Sequence, residues 1–309
     1  MKILITGSQG YLARNLSKKL SEHKIICYGI GRGNWKKNYY KKWGFHNNVS
    51  GNINDRTLSK FKKIKFNYII HLAGGASPTT NLIKSISKKK DYQNNFLTTH
   101  SILKYILSKN NESKLIFMST IAVLGNNKSK KLKENHKIKP ISNYAKNKFL
   151  AEKLCHTYNK KFNIDVLIIR GTSIFGPGLK RQIIHDVCYK LVRKQNIFYG
   201  SGEEIRDFLY ISDICDLFKN IINIGFGGFN ILNVGTGKGT KIKKIIKYLN
   251  NKLGKKIVPK FNGIGSNINP KRLVPDIRNT KKFKWKPKIN LKKGLNIYLK
   301  WFLKYNKND

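Results

Sequence analysis

The sequence predicts an α/β fold in which helices cover both faces of a doubly wound parallel sheet. Short apolar runs recur along roughly the first half of the chain, separated by segments with helical spacing. Runs of this kind are typical of strands that are buried on both faces. A glycine-rich turn directly follows the first run. Strands and helices that alternate through short turns indicate consecutive βα units in one sheet.

The first of these units has the features of a phosphate cradle. The apolar run Lys2–Thr6 leads into Gly7-Ser-Gln-Gly10, and helical spacing follows over Arg14–Leu20. Glycines let the backbone approach a ligand, and a helix N-terminus presents free N–H groups to a pyrophosphate. We therefore predict a Rossmann-type dinucleotide site, with an ordinary βα turn as the alternative. The candidate cofactor ligands are Gly7, Gln9, Gly10, Tyr11 and Leu12.

The second predicted strand, Lys24–Ile30, bears on the choice of cofactor. An NAD site usually places an acid after this strand to bind the ribose 2′-hydroxyl. The stretch that begins at Cys27 contains no acid and instead contains Arg32, which can pair with a 2′-phosphate. We expect NADP or NAD as the cofactor, with NADP preferred. The alternative is that Arg32 is an ordinary surface arginine.

Further strands complete the predicted sheet and supply more candidate ligands. Asn52 and Ile53 follow the third strand and are placed beside the adenine. Leu72, Ala73 and Gly74 end the fourth strand, in a run of small residues that reaches Ser77. Small residues let a ligand lie against the backbone. The predicted third to sixth strands are Phe45–Gly51, Asn67–Leu72, Lys114–Ser119 and Val166–Arg170.

The acid/base candidates lie between the fifth and sixth strands. Tyr144 and Lys148 are four residues apart, so a helix brings them onto one face. A nearby ammonium favours the phenolate and lowers the pKa of a tyrosine, which allows proton exchange at neutral pH. The hydroxyl of Thr120, at the end of the fifth strand, can share the same substrate oxygen. Asn95, inside the predicted helix Lys88–Leu107, can support the site or be purely structural. An exposed helix face is the alternative for the tyrosine and lysine.

The regular alternation ends after Gly178. Residues 1–170 are predicted to form the cofactor-binding domain. Residues 171–309 are predicted to form mainly a smaller substrate-binding part, with late elements of the sheet returning at about 206–240. No internal repeat is present. The elements predicted here are helices at Gln182–Lys194, Ile242–Leu253 and Leu291–Tyr305, and a strand at Asn230–Val234.

The net charge of +48 invites a nucleic-acid interpretation. However, the chain has nine arginines against 54 lysines, and the lysines are spread over its whole length. No aromatic-basic motif or recognition helix accompanies them. Lys, Asn and Ile share A/T-rich codons, so compositional drift explains the charge. We expect no specific nucleic-acid partner.

The cysteines and the apolar runs limit the class of protein further. Four scattered cysteines without a Cys-x-x-Cys pair are expected to be buried thiols, and no metal site is predicted. No apolar run approaches the length of a membrane span, and the first residues enter a strand directly rather than forming a signal peptide. We expect a cytoplasmic protein with no membrane partner.

Taken together, the motifs resemble the extended short-chain dehydrogenase/reductase superfamily, which includes nucleotide-sugar epimerases, dehydratases and reductases. The similarity runs from Lys2 to about Gly294. Many matches occur in the same order and at consistent intervals. They are Thr6-Gly7-x-x-Gly10-Tyr11, His71-Leu-Ala-Gly, Asn95, Ser119-Thr120, Val123-Leu-Gly125, Tyr144-x-x-x-Lys148, Arg170, Gly176-Pro-Gly, Gly200-x-Gly202, Arg206-Asp-Phe, Asp213, Asn233-Val-Gly, Asp276 and Trp285-x-Pro287.

The resemblance implies a role for each matching residue. Tyr144 is then the acid/base, and Lys148 lowers its pKa and binds the nicotinamide ribose. Thr120 shares the substrate oxygen and Asn95 supports the site. Nucleotide diphosphate is expected to bind Arg206 and Arg272, whose planar guanidinium groups suit paired hydrogen bonds. Ser77 is a further candidate for substrate binding. The expected partner is a nucleoside-diphosphate sugar, and a homodimer is expected.

Departures from the family pattern narrow the expected activity. Ile121 and Ala122 follow Thr120 where 4,6-dehydratases place an acid, so elimination of water lacks an evident catalyst. Ala13 replaces a third glycine and Leu124 replaces a common tyrosine. The main expectation is an NADPH-dependent 4-keto sugar reductase acting by hydride transfer, probably at C4. The alternative is an NAD-dependent nucleotide-sugar 4-epimerase, while a dehydratase or a non-catalytic dinucleotide-binding regulator is disfavoured.

Overall fold

A seven-stranded, wholly parallel sheet forms the centre of the molecule. The structure is a computed structural model and describes residues 1–75, 87–109, 112–265 and 269–306. The strand order is β11-β6-β5-β4-β1-β2-β3, and every neighbouring pair is parallel. The strands are β1 (Lys2–Thr6), β2 (Ile26–Gly31), β3 (Phe45–Ser50), β4 (Tyr68–His71), β5 (Lys114–Thr120), β6 (Val166–Gly171) and β11 (Phe229–Val234).

Helices cover both faces of this sheet, as a doubly wound topology requires. Ile3 and Ile5 point into one core cluster, while Leu4 between them points into the other. This alternation buries β1 on both faces and explains its uninterrupted apolar sequence. The helices are α1 (Tyr11–Ser21), α2 (Lys37–Lys42), α3 (Asp55–Leu58), α4 (Lys88–Tyr92), α5 (Thr98–Lys109), α6 (Asn143–Phe162), α7 (Gln182–Val192), α8 (Ile211–Ile224), α9 (Ile242–Lys252) and α10 (Leu291–Asn306).

Three small sheets lie outside the main one and come from the second half of the chain. One has three strands in the order β12-β9-β14, and the others pair β10 with β7 and β13 with β8. Their strands are only two or three residues long. They are β7 (Ser173–Phe175), β8 (Ile197–Phe198), β9 (Ile205–Arg206), β10 (Phe208–Tyr210), β12 (Thr240–Lys241), β13 (Lys260–Phe261) and β14 (Arg272–Leu273).

The fold class predicted from the sequence is confirmed. Each of the seven predicted strands is present within about two residues of its expected ends, and the first matches at both ends. Helix α8 is the largest element that the sequence analysis missed. It packs on α1 and buries one face, which includes Ile214, Phe218 and Ile221. The division of the chain at about residue 170 stays a prediction, although β11 does return to the main sheet beside β6.

Two further expectations concern the whole chain. All four cysteines are buried free thiols, as expected. Within the described part of the chain, no helix has both the length and the apolar character needed to cross a membrane.

Candidate active site

The turn between β1 and α1 has the geometry of an anion cradle. Gly7 has φ +68, and a Cβ on this residue would lie 3.0 Å from the Ala73 backbone. A Cβ on Gly10 would lie 2.9 Å from the Gly7 carbonyl oxygen. Gly10 is the N-cap of α1 and provides no side-chain cap, and the first turn contains no acid. The N–H groups at this helix start therefore remain available to a pyrophosphate, so the cradle fits a dinucleotide.

The side chains of this turn pack against neighbouring elements. The Tyr11 ring is buried beside Gly176, and burial raises the pKa of its hydroxyl well above the ordinary value. Only the backbone N–H of Tyr11 therefore stays a candidate for contact with a cofactor. Gln9 lies against Gly33, and Leu12 packs on the core. Ser8 carries a buried hydroxyl that has no hydrogen-bond partner among the described residues. This hydroxyl is therefore free to bind a polar ligand.

The residues predicted around the adenosine lie at the ends of β2 and β3. Arg32 is exposed, and its Nη1 donates a hydrogen bond to Asn94 Oδ1 at 3.3 Å. Asn52 is exposed, whereas Ile53 is 9% exposed and packs in the core on the α5–α6 side of the sheet. Arg32 is thus engaged with the segment that carries Asn95.

A chain of hydrogen bonds holds the loop after β4. The Ala73 N–H donates to Thr6 Oγ1 at 3.1 Å, and this hydroxyl bonds His71 Nδ1 at 2.7 Å. On the other side, His71 Nε2 bonds Thr99 Oγ1 at 3.1 Å, and Thr99 donates to the Asn95 carbonyl at 2.8 Å. Burial lowers the pKa of His71 to about 3, so the ring is neutral. The chain connects Leu72-Ala73-Gly74 to the helix opposite.

That opposite helix is interrupted at the site. Between α4 and α5 the backbone forms one π-helical turn, Gln93–Leu97, and such turns occur frequently at functional sites. Asn95 in this turn is fully buried, and its Oδ1 accepts the Gly75 N–H at 3.1 Å. A Cβ on Gly74 would lie 2.7 Å from Asn95 Oδ1 and 3.0 Å from Lys148 Nζ. The structure therefore brings together Gly74, Asn95 and Lys148.

The first turn of α6 presents the candidate acid/base. Tyr144 follows the N-cap Ser142, and the Thr120 hydroxyl lies beside its phenol. Burial of the ring and the nearby charge of Asp91 raise the pKa of Tyr144 to about 12, while Arg181 and the hydrogen bond with Thr120 lower it. Tyr144 and Thr120 are therefore adjacent.

Lys148 lies one turn further along α6 and is 3% exposed. Its Nζ donates to the Met118 carbonyl at 2.9 Å and lies 4.7 Å from the centre of the Phe117 ring. Burial lowers the pKa of Lys148 to about 8, against the opposite effect of Asp91 and Glu152. The expected lowering of the Tyr144 pKa by this ammonium is not observed, because the ammonium is directed at the end of β5 and burial of the phenol dominates.

The sequence analysis missed a buried carboxylate beneath the site, Glu152, although it named the partner Arg170 as a motif match. Glu152 accepts hydrogen bonds from Arg170, with a closest distance of 2.7 Å, and both side chains are 3% exposed. The Ser119 hydroxyl also donates to Glu152. The spacing of four residues that joins Tyr144 to Lys148 continues to Glu152, and this repeat on one helix face was the available signal.

The two arginines predicted to bind a diphosphate lie on neighbouring strands of the three-stranded sheet. β14 pairs with β9 so that Arg272 is opposite Ile205 and Leu273 is opposite Arg206. Because successive side chains alternate across a strand, the guanidinium groups leave toward opposite faces. Burial lowers the pKa of Arg206 to about 10. Ser77, the remaining predicted substrate ligand, lies outside the described residues.

Comparison with known proteins now settles the family. A sequence profile described as "NAD dependent epimerase/dehydratase family" matches residues 3–235. The chain belongs to that family. It is therefore an enzyme of the epimerase/dehydratase type, which confirms the expectation drawn from its motifs.

Two relatives illustrate the range of the family. A Methanocaldococcus jannaschii protein named "Putative UDP-glucose 4-epimerase" is 28% identical, and the alignment covers 99% of each chain. A Dictyostelium discoideum dTDP-D-glucose 4,6-dehydratase is 33% identical, over 76% of this chain and 58% of the relative.

Solved structures of low sequence identity share the fold. The UDP-glucose 4-epimerase of Thermotoga maritima, crystallised with UDP-glucose, superposes with a TM-score of 0.87 at 22% identity, covering 99% of this chain and 100% of that one. The UDP-glucuronic acid 4-epimerase of Bacillus cereus, in complex with UDP-glucuronic acid and NAD, gives a TM-score of 0.87 at 23% identity with the same coverage.

Proposed function

We propose that this enzyme is an NAD-dependent 4-epimerase of a nucleotide-linked sugar. The observation that carries the proposal is the adjacency of the Thr120 hydroxyl and the Tyr144 phenol, one helical turn from Lys148. The names of the similar proteins favour this activity over the reductase that we expected from the sequence.

The geometry supports a different role for each of the site residues. NAD supplies reversible hydride exchange with a sugar carbon when it is bound. Tyr144 takes the proton of the sugar hydroxyl and later returns it, while Thr120 hydrogen-bonds the same oxygen and helps to orient it. Burial and Asp91 raise the pKa of Tyr144 to about 12, and only Arg181 and the hydrogen bond with Thr120 act in the direction that a base requires. Asn95 holds the Gly75 backbone beside this centre.

The residues after Thr120 argue against the dehydratase activity of some relatives. Ile121 and Ala122 begin a short 3-10 turn, and the N–H of Ala122 is bound by the Thr120 hydroxyl. Ile121 is 2% exposed. Neither residue can provide the acid that eliminates water from a sugar, so the proposal stays with epimerisation.

The proposed cofactor is NAD rather than NADP. The family is described as NAD dependent, and structures that superpose well contain NAD. The preference for NADP was inferred from Arg32, and the comparisons do not support it. Arg32 is already hydrogen-bonded to Asn94, so its presence alone does not indicate a 2′-phosphate.

Cofactor retention and product analysis test the proposed activity. An epimerase returns the hydride within one catalytic cycle, so we expect NAD in the supernatant of the denatured protein. We also expect UDP- or dTDP-sugars to interconvert at C4 without net change in absorbance at the NADH wavelength. Stoichiometric oxidation of added NADPH by a 4-keto sugar would instead support the reductase.

The Tyr144→Phe variant tests the catalytic role. It removes only the hydroxyl, so turnover should fall by about 10²- to 10⁴-fold while NAD affinity changes little. Tyr158→Phe is a matched control, since Tyr158 lies on the same helix and is remote in sequence from the predicted site residues. Retention of more than about a tenth of wild-type turnover by Tyr144→Phe would exclude this hydroxyl as the general acid/base.

We further propose that Arg206 binds the diphosphate of the substrate. Among the described residues, the guanidinium donates only to the neighbouring Ile205 carbonyl at 3.0 Å, which leaves most of its five N–H donors for a ligand. No carboxylate in the described part of the chain forms a salt bridge with it. A contact of Arg272 with the same diphosphate stays a prediction from the sequence, because its side chain leaves β14 toward the opposite face of the small sheet.

Calorimetric titration with UDP and UDP-sugars measures this contact. Arg206→Ala should weaken binding by about ten- to a hundredfold, the range for a hydrogen bond to a charged group. Arg193→Ala is the control, because Arg193 is exposed at the end of α7 and stacks on Tyr189. Equal affinities of the Arg206 variant and wild type would remove Arg206 from the substrate site, and Arg272→Ala tests the second contact separately.

The expected homodimer also remains a proposal. Helices α5 and α6 contact each other, and these helices, α4 and the π-helical turn carry several exposed large apolar side chains. Exposed apolar side chains favour association when they form one patch. The side chains are Tyr92, Leu97, Leu107, Leu150 and Phe162. Sedimentation velocity should give a dimer, and Leu150→Lys should shift it toward monomer.

A further inference from the structure

A buried carboxylate lies beside the proposed acid/base pair without a salt-bridge partner. Asp91, in the last turn of α4, is 4% exposed. Its Oδ1 accepts the Asn95 side-chain amide at 3.0 Å, and its Oδ2 accepts the Asn147 side-chain amide at 2.7 Å. In the part of the chain that the structure describes, none of the ion pairs involves Asp91. Both carboxylate oxygens are thus bound by neutral groups.

This carboxylate joins three segments that form the site. Asn95 belongs to the π-helical turn, and Asn147 belongs to α6, directly before Lys148 and three residues after Tyr144. A Cβ on Gly75, in the loop after β4, would lie 3.0 Å from Asp91 Oδ1. A change at Asp91 therefore acts on the turn, the helix and the loop together.

Two carboxylates lie near Lys148, those of Asp91 and Glu152, and the other charged groups around the lysine decide which of them acts on it. The groups that face the lysine from its own helix are Glu152 and Cys155, and those from other elements are Asp91 and His71. His71 is neutral, and Cys155 keeps its proton, because burial raises the pKa of its thiol.

The two remaining groups are the carboxylates of Asp91 and Glu152. Glu152 is paired with Arg170, which compensates most of its charge. Arg181 faces Tyr144 from the start of α7 and is exposed. Asp91 is consequently the carboxylate whose charge is left to act on Lys148, because a buried charge that is not neutralised locally acts over a longer range in a low dielectric.

We propose that Asp91 is a positioning residue that holds α6 against the Asn95 turn through Asn147 and keeps the buried Lys148 ammonium protonated. This inference rests on the proposed function in one respect, namely that Lys148 in its charged form binds the cofactor ribose. Asp91 acts through Lys148 and the two amides and does not touch the substrate. Its charge offsets the burial that otherwise favours a neutral lysine.

Two variants separate the charge of Asp91 from its hydrogen bonds. Asp91→Asn keeps the size of the side chain but removes the charge and one acceptor, so one of the two amides loses its partner. The double variant Asp91→Asn with Asn147→Asp restores both bonds. In that variant the new amide at 91 accepts from Asn95 and donates to the acid at 147, and the negative charge stays next to Lys148.

The affinity for NAD, measured by calorimetry between pH 6 and 10, provides the readout. Wild type should bind NAD less tightly as pH rises through about 8, where Lys148 loses its proton. Lys148→Met should show no such loss. In Asp91→Asn the midpoint should move to lower pH by about one unit, the size expected when an opposite charge is removed nearby. The double variant should return toward the wild-type midpoint.

Asp213→Asn is a matched control. Asp213 is also a buried carboxylate with two N–H partners, the backbone amides of Lys288 and Ile289, but it is not among the charges that act on Lys148. Its substitution should leave the midpoint unchanged, whatever its effect on thermal stability. Because stability and midpoint are read separately, a purely structural role for Asp91 would lower the melting temperature without moving the midpoint.

Two results would overturn the proposal. One is an Asp91→Asn variant that has the wild-type midpoint, and the other is a wild-type profile with no loss of affinity at alkaline pH. Failure of the proposed function gives a different result, since NAD would bind with the expected pH profile while no nucleotide sugar is converted. The two failures are therefore distinguishable.

Discussion

His71 lies fully buried beneath the loop that follows β4, and both of its ring nitrogens have hydroxyl partners. Thr99 donates its own proton to the Asn95 carbonyl, so it accepts the proton of His71 Nε2. Nδ1 is then the acceptor for Thr6. A second ring proton has no acceptor in this arrangement, which agrees with the lowering of the His71 pKa by burial and by the charge of Lys148.

This arrangement predicts a pH dependence of stability. The unfolded chain takes up a proton at His71 below the ordinary pKa of 6.5, whereas the folded state does so only near 3. The free energy of unfolding should therefore fall as the pH falls through this window, with His71 contributing at most about 1.4 kcal/mol per pH unit.

Urea unfolding at several pH values between 3.5 and 7 measures this slope. His71→Gln cannot take up the proton, so its slope should be smaller than that of wild type. His23→Gln is the control, because His23 is exposed at the end of α1. If His71→Gln and wild type have the same slope, the buried ring is not the group that titrates.

At the scale of elements, the start of α6 determines where Tyr144 lies. Ser142 is the N-cap, and its hydroxyl accepts the Ala145 N–H at 3.2 Å. The helix then runs for 20 residues to Phe162, and its C-cap Asn163 has φ +53. Since Tyr144 is two residues after the cap, fraying of this end displaces the proposed acid/base directly.

We predict that Ser142→Ala lowers the free energy of unfolding by about 1 kcal/mol, because one N–H at the helix start loses its partner. Turnover should fall more than the stability change explains, since Tyr144 lies in the first turn. Thr157→Ala is the matched control on the same helix, where the hydroxyl only bonds the Lys153 carbonyl at an exposed position. Chemical denaturation and steady-state rates measure the two effects, and equal behaviour of the two variants would contradict the prediction.

At the scale of the whole molecule, the net charge of +48 is the dominant long-range property. The 15 acidic residues can neutralise only a fraction of the 63 basic ones. Repulsion among like charges destabilises the compact state, and salt screens it over about 10 Å at 0.1 M. The stability of the folded protein should therefore depend on ionic strength.

The melting temperature should accordingly rise when sodium chloride is increased from about 20 mM to about 300 mM, as the screening length becomes shorter than typical charge separations. Potassium chloride at equal ionic strength should have the same effect, because screening does not depend on the identity of the cation. Sucrose is the uncharged control for general stabilisation. A melting temperature that is unchanged or that falls with salt would show that repulsion does not limit stability.

Much of the site could be predicted because each motif consists of residues that are close together in the sequence. The glycine turn follows its strand directly, and the spacing of Tyr144 and Lys148 is a property of any helix. Asp91 and Asn147 were not predicted, because they are 56 positions apart and meet only when α4 packs on α6. The π-helical turn that carries Asn95 likewise has no pattern that distinguishes it from an ordinary helix.

The sequence by itself determined the parallel sheet, the phosphate cradle and the family, because these depend on apolar runs and on motifs of neighbouring residues. Only the tertiary structure decided the electrostatics of the site. Burial and the charge of Asp91 raise the pKa of Tyr144, and Lys148 turns toward the Met118 carbonyl rather than lowering that pKa. The physical reason is that a pKa depends on desolvation and on charges nearby in space, which strand and helix packing sets and residue spacing does not.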